Sequence, residues 1–412
     1  MRIIPIKNMW LLFGCVWLTA ASVAWTDTRI GAGGYLEWNG ARVFPIGAYA
    51  LPKNMNFTEA ESVGFNLVHA RASRATWDEA GEAGLWVWHS FGEALDLTGE
   101  KAESRRQSIR ETVEGLADHP RLLFWESVDE PAWTDEAPAV ARNQPEGLIA
   151  GRRFLRELDP AHPVYLNHAP RNTVKTLRRY NPACEIVCVD IYPIIPPGLR
   201  RMYAITPDGR HGDLPNQTPS CVGEYVDKMK RVAGEGRTVF IVLQGFAWEA
   251  LREKDMNSAQ VRYPNARECR FMAWQSIIHG ARGLMIWGLH TVPKEHPFIQ
   301  DWALTLREIR ELTPVILGEE WPNPPVLRYH ERGSSIAAGI EVMGRETDGA
   351  YYLVAANTSI DPAAADFHAL PGGAPEWEVV GGNRSVPVKN GTFYDEFEGL
   401  DVHIYRALKA KP

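Results

Sequence analysis

Eight short apolar runs, at residues 44–49, 65–69, 85–90, 122–128, 164–168, 186–192, 239–244 and 284–287, most narrow what this chain can fold into. Each is close to continuous in apolar character, as expected of strands covered on both faces, and such strands belong to parallel sheets. Helical patterns fill the gaps, at 77–83, 104–117, 147–158, 173–180, 222–233 and 266–279. In 104–117, Ile109, Val113 and Leu116 form one stripe among Arg105, Arg106, Arg110 and Glu111. With a last helix around 302–312, eight strands and seven crossovers predict a (β/α)8 TIM barrel over residues 25–316. The competing doubly wound open sheet calls for a glycine-rich phosphate loop after its first strand, and none follows here.

Around residues 314–325 the composition changes: Pro314, Pro322, Pro324 and Pro325 punctuate a connector. Short alternating runs follow at 351–355, 377–380 and 402–405, separated by Gly-Gly and Asn-Gly turns, so residues 317–412 are expected to form a small antiparallel β-sandwich. Its expected role is to brace the barrel.

The start of the chain reads as a secretory signal over residues 1–24. Arg2 and Lys7 precede an apolar stretch from Met9 to Ala21, and Ser22-Val23-Ala24 offers a small-x-small cleavage site. The mature chain would then begin near Trp25, in the periplasm or outside the cell, with no membrane association. An uncleaved anchor is the other reading, but the stretch is short for a span of ~20 residues. Leu12-Phe13-Gly14-Cys15 faintly resembles a lipoprotein box, and the bulky Phe13 argues against it. The net charge of −7 and the lack of any lysine or arginine block exclude a nucleic-acid footprint. Cys184, Cys188, Cys221 and Cys269 lack histidines at zinc-finger spacing, so neither structural zinc nor another cofactor is expected.

Several runs end in polar or aromatic residues: His69 and Arg71, His89, Glu130, Asn167 and His168, Asp190 and Tyr192, Gln244, and Trp287. In a barrel these ends converge on one face, where barrel enzymes keep their chemistry. The segment Trp125-Glu126-Ser127-Val128-Asp129-Glu130-Pro131-Ala132 stands out, because an apolar strand drives into adjacent carboxylates stopped by a proline that cannot continue a central ladder. Glu130 is the leading catalytic candidate. The bland alternative is an acid pair opening a surface helix.

With those residues in place the chain resembles the clan A glycoside hydrolases, barrel enzymes that carry an acid/base glutamate at the end of the fourth strand. Glu130 falls on that position. Trp287, within Gly283-Leu284-Met285-Ile286-Trp287-Gly288, matches the clan's sugar-stacking tryptophan, and the run Phe393-Tyr394-Asp395-Glu396-Phe397 looks like the end of an accessory β-domain. The resemblance implies a carbohydrate substrate. Two departures stand out: Asp129 replaces the usual asparagine before the glutamate, and Gln244 stands where the clan has its nucleophilic glutamate. An amide cannot attack an anomeric carbon.

Glycoside cleavage needs a second group beside the proton donor. Asp190 or Glu249 could supply a carboxylate. The Asp129-Glu130 pair also looks like that of barrel N-acetylhexosaminidases, which implies that Asp129 orients a substrate acetamido group as nucleophile with Tyr192 binding it. That reading needs a twist or bulge, because successive strand residues face opposite ways. Trp125, Trp133 and Trp248 could wall the site, with Trp248 and Trp287 as stacking platforms and Asn167, His89, Arg71 and Gln244 as further substrate contacts. Two other classes stay open. One is a carbohydrate-binding protein on a catalytically dead barrel; the other is a metal-dependent hydrolase prompted by His69, His89, His168 and Asp190, which lacks the usual His-x-His on its first strand.

Overall fold

The computed structural model describes residues 27–133, 141–196, 216–252, 254, 256–335 and 338–409; the leader-like residues 1–24 lie outside the described residues. Eight parallel strands close into a barrel: Ile46–Ala48, Leu67–His69, Trp86–Ser90, Leu122–Glu126, Val164–His168, Ile186–Asp190, Thr238–Gln244 and Leu284–Trp287. Closure is made where the eighth strand pairs with the first, Leu284 opposite Ile46. The helices Arg74–Glu82, Ala102–Leu116, Pro145–Leu158, Cys221–Ala233, Ala266–Ile278 and Pro297–Glu311 form an outer ring. On the helix Ala102–Leu116 the stripe of Ile109, Val113 and Leu116 is the buried face, as its spacing requires.

Large rings fill the barrel interior. Trp88, Phe124, Tyr165 and Phe240 are fully buried there, with centroids 5.4–6.2 Å apart. Gly47 makes room for them, since a Cβ at that position would lie 2.7 Å from the Met285 sulfur and 3.2 Å from the Trp88 ring. Thr28–Ile30, Leu36–Trp38 and Ala41–Val43 form an antiparallel sheet against the N-terminal end of the barrel, where Trp38 meets Trp86 edge to face at 5.5 Å.

Several features differ from the sequence reading, the N-terminal sheet among them. The helix Phe57–Val63 was not anticipated, although Asn56 and Glu59 form a capping box and Gly64, at φ 117°, ends it. The fourth strand stops at Glu126 instead of residue 128.

Beyond the short helix Thr313–Ile316 come a six-stranded and a three-stranded antiparallel sheet, packed over Leu353, Phe367, Trp377, Phe393 and Tyr405. A partly buried polar clasp joins them to the barrel. His279, just past its helix, gives Nδ1 to Asp227 and Nε2 to Glu341 of the C-terminal sheet, each at 2.9 Å, and Gln275 also donates to Glu341 at 3.0 Å. Burial opposes the charge on His279, but the two carboxylates outweigh it and raise its pKa from 6.5 to about 9. A raised histidine pKa means that the stabilisation is complete below 6.5 and is lost as pH rises through about 9. We expect His279→Gln to cost ~1–3 kcal/mol at about pH 6 and almost nothing above about pH 10. Urea midpoints at the two pH values check this; an equal cost at both would assign the effect to packing.

Candidate active site

The fourth strand delivers its acids through a break in regularity. Ser127 N–H donates to Tyr165 O at 2.9 Å and Glu130 N–H donates to Asn167 O at 3.0 Å. Three residue steps on one side therefore oppose two on the other, the offset of a β-bulge. The extra residue is absorbed at Glu130, whose φ of +46° lies in the left-handed region that non-glycine residues seldom occupy. The consequence is that Asp129 and Glu130, which an unbroken strand would point opposite ways, both line one cavity.

That cavity, about 490 Å3, sits at the C-terminal mouth of the barrel and is of a size usual for small-molecule sites. One part of its lining is acidic. Asn167 Nδ2 donates to Asp129 Oδ1 at 2.9 Å and lies 3.4 Å from Asp190 Oδ1, and Asp190 shares a hydrogen bond with Glu130. Arg142 places Nη1 on the Asp129 carbonyl at 3.1 Å and Nη2 at 3.9 Å from Glu130 Oε2. Burial, then the neighbouring charges of Glu130 and Asp129, pushes Asp190 well above the usual carboxylate range. The two carboxyls in contact resist carrying two negative charges, so Asp190 and Glu130 share one proton. Asp129 is more exposed, yet partial desolvation raises it as well, against the opposing bond from Asn167 and the Arg142 charge.

Glu126 forms the floor. It receives Trp88 Nε1 at 2.8 Å on one oxygen and Tyr49 Oη at 3.1 Å on the other, and Tyr49 is 2.7 Å from Tyr165 Oη. Burial lifts its pKa to about 8, so at neutral pH it is an uncharged acid able to donate into the cavity. His69 also lines the space; burial lowers it to about 4, and among the described residues its Nε2 has no hydrogen-bond partner.

Aromatic rings supply much of the remaining lining. Tyr192 stacks on Trp287 at 5.7 Å and 28°, while Phe246 stands edge-on to Tyr192, Trp248 and Trp287 at 4.9–5.1 Å. Trp133 lines the cavity with the Arg171 guanidinium 5.1 Å above its ring. Flat apolar faces beside clustered hydroxyl, amide and carboxyl groups suit a ring with polar edges.

Of the residues singled out in the sequence, His69, Asp129, Glu130, Asp190, Asn167, Tyr192, Trp133, Trp248 and Trp287 line this cavity. Others do not. Gln244 is fully buried with its amide consumed: Nε2 donates to the carbonyls of Ile194 and Phe246, each at 3.0 Å, and Oε1 accepts from Ile194 N–H at 2.9 Å. It pins the loop after the sixth strand instead of meeting a ligand. Glu249 is turned away, receiving Asn257 N–H at 2.6 Å. His89 and Trp125 have outward strand parity; His89 bonds the Ala70 carbonyl at 3.1 Å and Trp125 bonds Asp159 at 2.6 Å behind the barrel wall. Arg71 is exposed and nearest Thr76. His168 is fully buried against Tyr180, at a pKa of about 3. The histidines of the metal reading therefore do not converge, and no group of three metal-ligating side chains occurs among the described residues.

Sequence reasoning passed over Glu126 and Tyr49. The signal for Glu126 was present: a carboxylate inside an apolar central strand, at the same parity as Phe124, must face the barrel axis. Tyr49 carried no comparable signal.

No family profile matches the sequence, and no curated protein matches it. Likeness appears in three dimensions. A family 39 glycoside hydrolase from the gut symbiont Bacteroides cellulosilyticus WH2 superposes with TM-score 0.54 at 11% identity, covering 89% of this chain and 81% of that one. An alpha-amylase from Geobacillus thermoleovorans, complexed with acarbose, gives TM-score 0.54 at 7% identity over 90% and 99%. The Anoxybacillus alpha-amylase gives 0.54 at 8% over 90% and 98%. At such identities the likeness establishes a shared fold, a TIM barrel followed by antiparallel sheets.

Proposed function

We propose that the chain is a glycoside hydrolase that protonates the leaving oxygen through Glu130 and uses a 2-acetamido group of its substrate as nucleophile. The observation that carries this reading is the hydrogen bond between Asp190 and Glu130 at the mouth of an aromatic-lined cavity. A pair so joined holds a single proton between two acids, as like-charged carboxyls in contact cannot both ionise. Glu130 is the outward member, half-buried where Asp190 is buried, so it is the one that meets the glycosidic oxygen.

The same contact argues against Asp190 as nucleophile. Carboxyls that flank a scissile bond stand about 5–5.5 Å or 6.5–9.5 Å apart, whereas hydrogen-bonded ones leave no room for a ring between them. Asp129, presented by the bulge, orients the acetamide N–H, and Tyr192 binds its carbonyl. The bond to the anomeric carbon is formed by that carbonyl oxygen as the protonated leaving group departs. The glycoside hydrolases and amylases sharing the fold support the class of reaction. The leader-like residues 1–24 support action outside the cytoplasm.

Aryl glycosides bearing a 2-acetamido group, compared with their 2-hydroxyl counterparts, test this reading. The expected kcat/KM advantage of the acetamido substrates is at least about a hundredfold, ~2.7 kcal/mol of barrier. Equal turnover of both would transfer the second role to a carboxylate. Retained oligosaccharide binding with no turnover of any substrate would make the chain a carbohydrate-binding protein.

A further inference from the structure

We infer that the N-terminal end of the barrel carries a second site, remote from the first, that binds a small multivalent oxyanion such as phosphate or sulfate. A cavity of about 270 Å3 there is lined by Lys230, Arg237, Thr238, Arg282, Glu320 and Arg345, which come from three parts of the chain. Lys230 ends the helix Cys221–Ala233, Arg237 and Thr238 open the seventh strand, Arg282 precedes the eighth, and Arg345 and Glu320 belong to the C-terminal sheet. Four cations thus face one carboxylate. His279 adds a fifth positive charge, already balanced by Asp227 and Glu341; Asp227 also lies 3.3 Å from Lys230. Counting these, five positive and three negative groups leave a surplus of about two in a chain whose net charge is −7. A local excess of that sign selects anions.

The donors are held before any ligand arrives. Arg282 lies 4.1 Å over the Tyr35 ring, with Nε on the Gly33 carbonyl at 3.0 Å and Nη1 on Tyr35 Oη at 2.8 Å. Burial lowers the Arg282 pKa, with Arg345 adding to that effect and Tyr35 and Glu320 opposing it. Arg345 is only 4% exposed; its Nη1 donates to Gly344 O at 3.1 Å, while its Nε has no hydrogen-bond partner among the described residues. Thr238, 2% exposed, likewise leaves its Oγ1 without one. Arg345 also lies 3.5 Å from Glu320 through Nη1, and the guanidinium groups of Arg237, Arg282 and Arg345 with the Lys230 ammonium line one cavity, a donor set that matches the tetrahedral acceptors of an oxyanion. The volume lies below the roughly 300 Å3 at which ligand pockets usually begin, which admits such an ion and excludes an oligosaccharide.

Calorimetric titration of the full chain with inorganic phosphate and with sulfate, against chloride at matched ionic strength, tests the site. Saturable binding of one ion per chain is expected. Lys230→Glu changes an exposed side chain outside the first cavity and is expected to weaken binding at least about tenfold. A sugar phosphate and a sugar sulfate form a further arm: affinity like that of the free ions identifies a terminal group on carbohydrate as the ligand, and its loss identifies the free ion. No saturable binding beyond the chloride control, or the same Kd in wild type and Lys230→Glu, would overturn the proposal.

Discussion

Replacing Glu130 with glutamine is expected to lower kcat/KM on a responsive glycoside about a thousandfold, ~4 kcal/mol of barrier. The loss should fall on kcat with KM little changed, because glutamine keeps the volume and the contacts but has no acid proton to give the leaving oxygen. The urea midpoint should stay close to that of wild type. Asp190→Asn is the informative companion. In wild type, burial and the neighbouring acids hold the shared proton well above the ordinary carboxylate range, so activity should persist through neutrality and be lost on the alkaline side. An amide at 190 removes a like charge and can donate to Glu130, both of which favour the Glu130 carboxylate; the alkaline limb should therefore move to lower pH. If Glu130→Gln retains full activity, Glu130 is not the acid. If Asp190→Asn leaves the limb in place, the two residues do not share a proton.

Glu126→Gln is expected to make the protein more stable. Glu126 gives up its proton near 4.5 when unfolded but only at about 8 when folded, because burial on the cavity floor disfavours the charge more than Trp88 and Tyr49 favour it. A raised carboxyl pKa means that folding stability falls as pH climbs from 4.5 and levels off above about 8. Glutamine removes that dependence, and its amide can still accept from Trp88 and donate to Tyr49. The expected gain is on the order of 2–4 kcal/mol at about pH 9 and close to zero near pH 4. Paired denaturation curves at the two pH values measure it. A variant no more stable than wild type at the higher pH would mean that the buried charge is fully compensated.

The barrel was legible because its signals are local. A strand covered on both faces has to be apolar along its length, and a helix lying on it has to show a stripe, so runs such as 239–244 and stripes such as Ile109, Val113 and Leu116 identify themselves. The C-terminal strands were legible only in part, since alternation over four to six residues is a weak signal beside the long helical stripes. The convergence of Asp129, Glu130, Asn167, Asp190, Tyr192 and Trp287 followed from the barrel itself, which gathers its strand ends at one mouth. Direction was where the reading failed. Gln244 ends its strand as expected, yet its amide turned to a loop carbonyl that sequence distance concealed, 50 residues away at Ile194.

By itself, then, the sequence determined the eight-fold βα pattern, the strand that ends in acids and the trailing β-rich region, because each depends on residue periodicity over a handful of neighbours. Only the tertiary structure decided which acids share a cavity and which of them keep their protons. The bulge that lets Asp129 and Glu130 face the same way is set by pairing with strand five, and the elevation of Asp190 and Glu126 is set by burial. Both are properties of what surrounds a residue in space, contributed by segments far along the chain, and no local pattern encodes them.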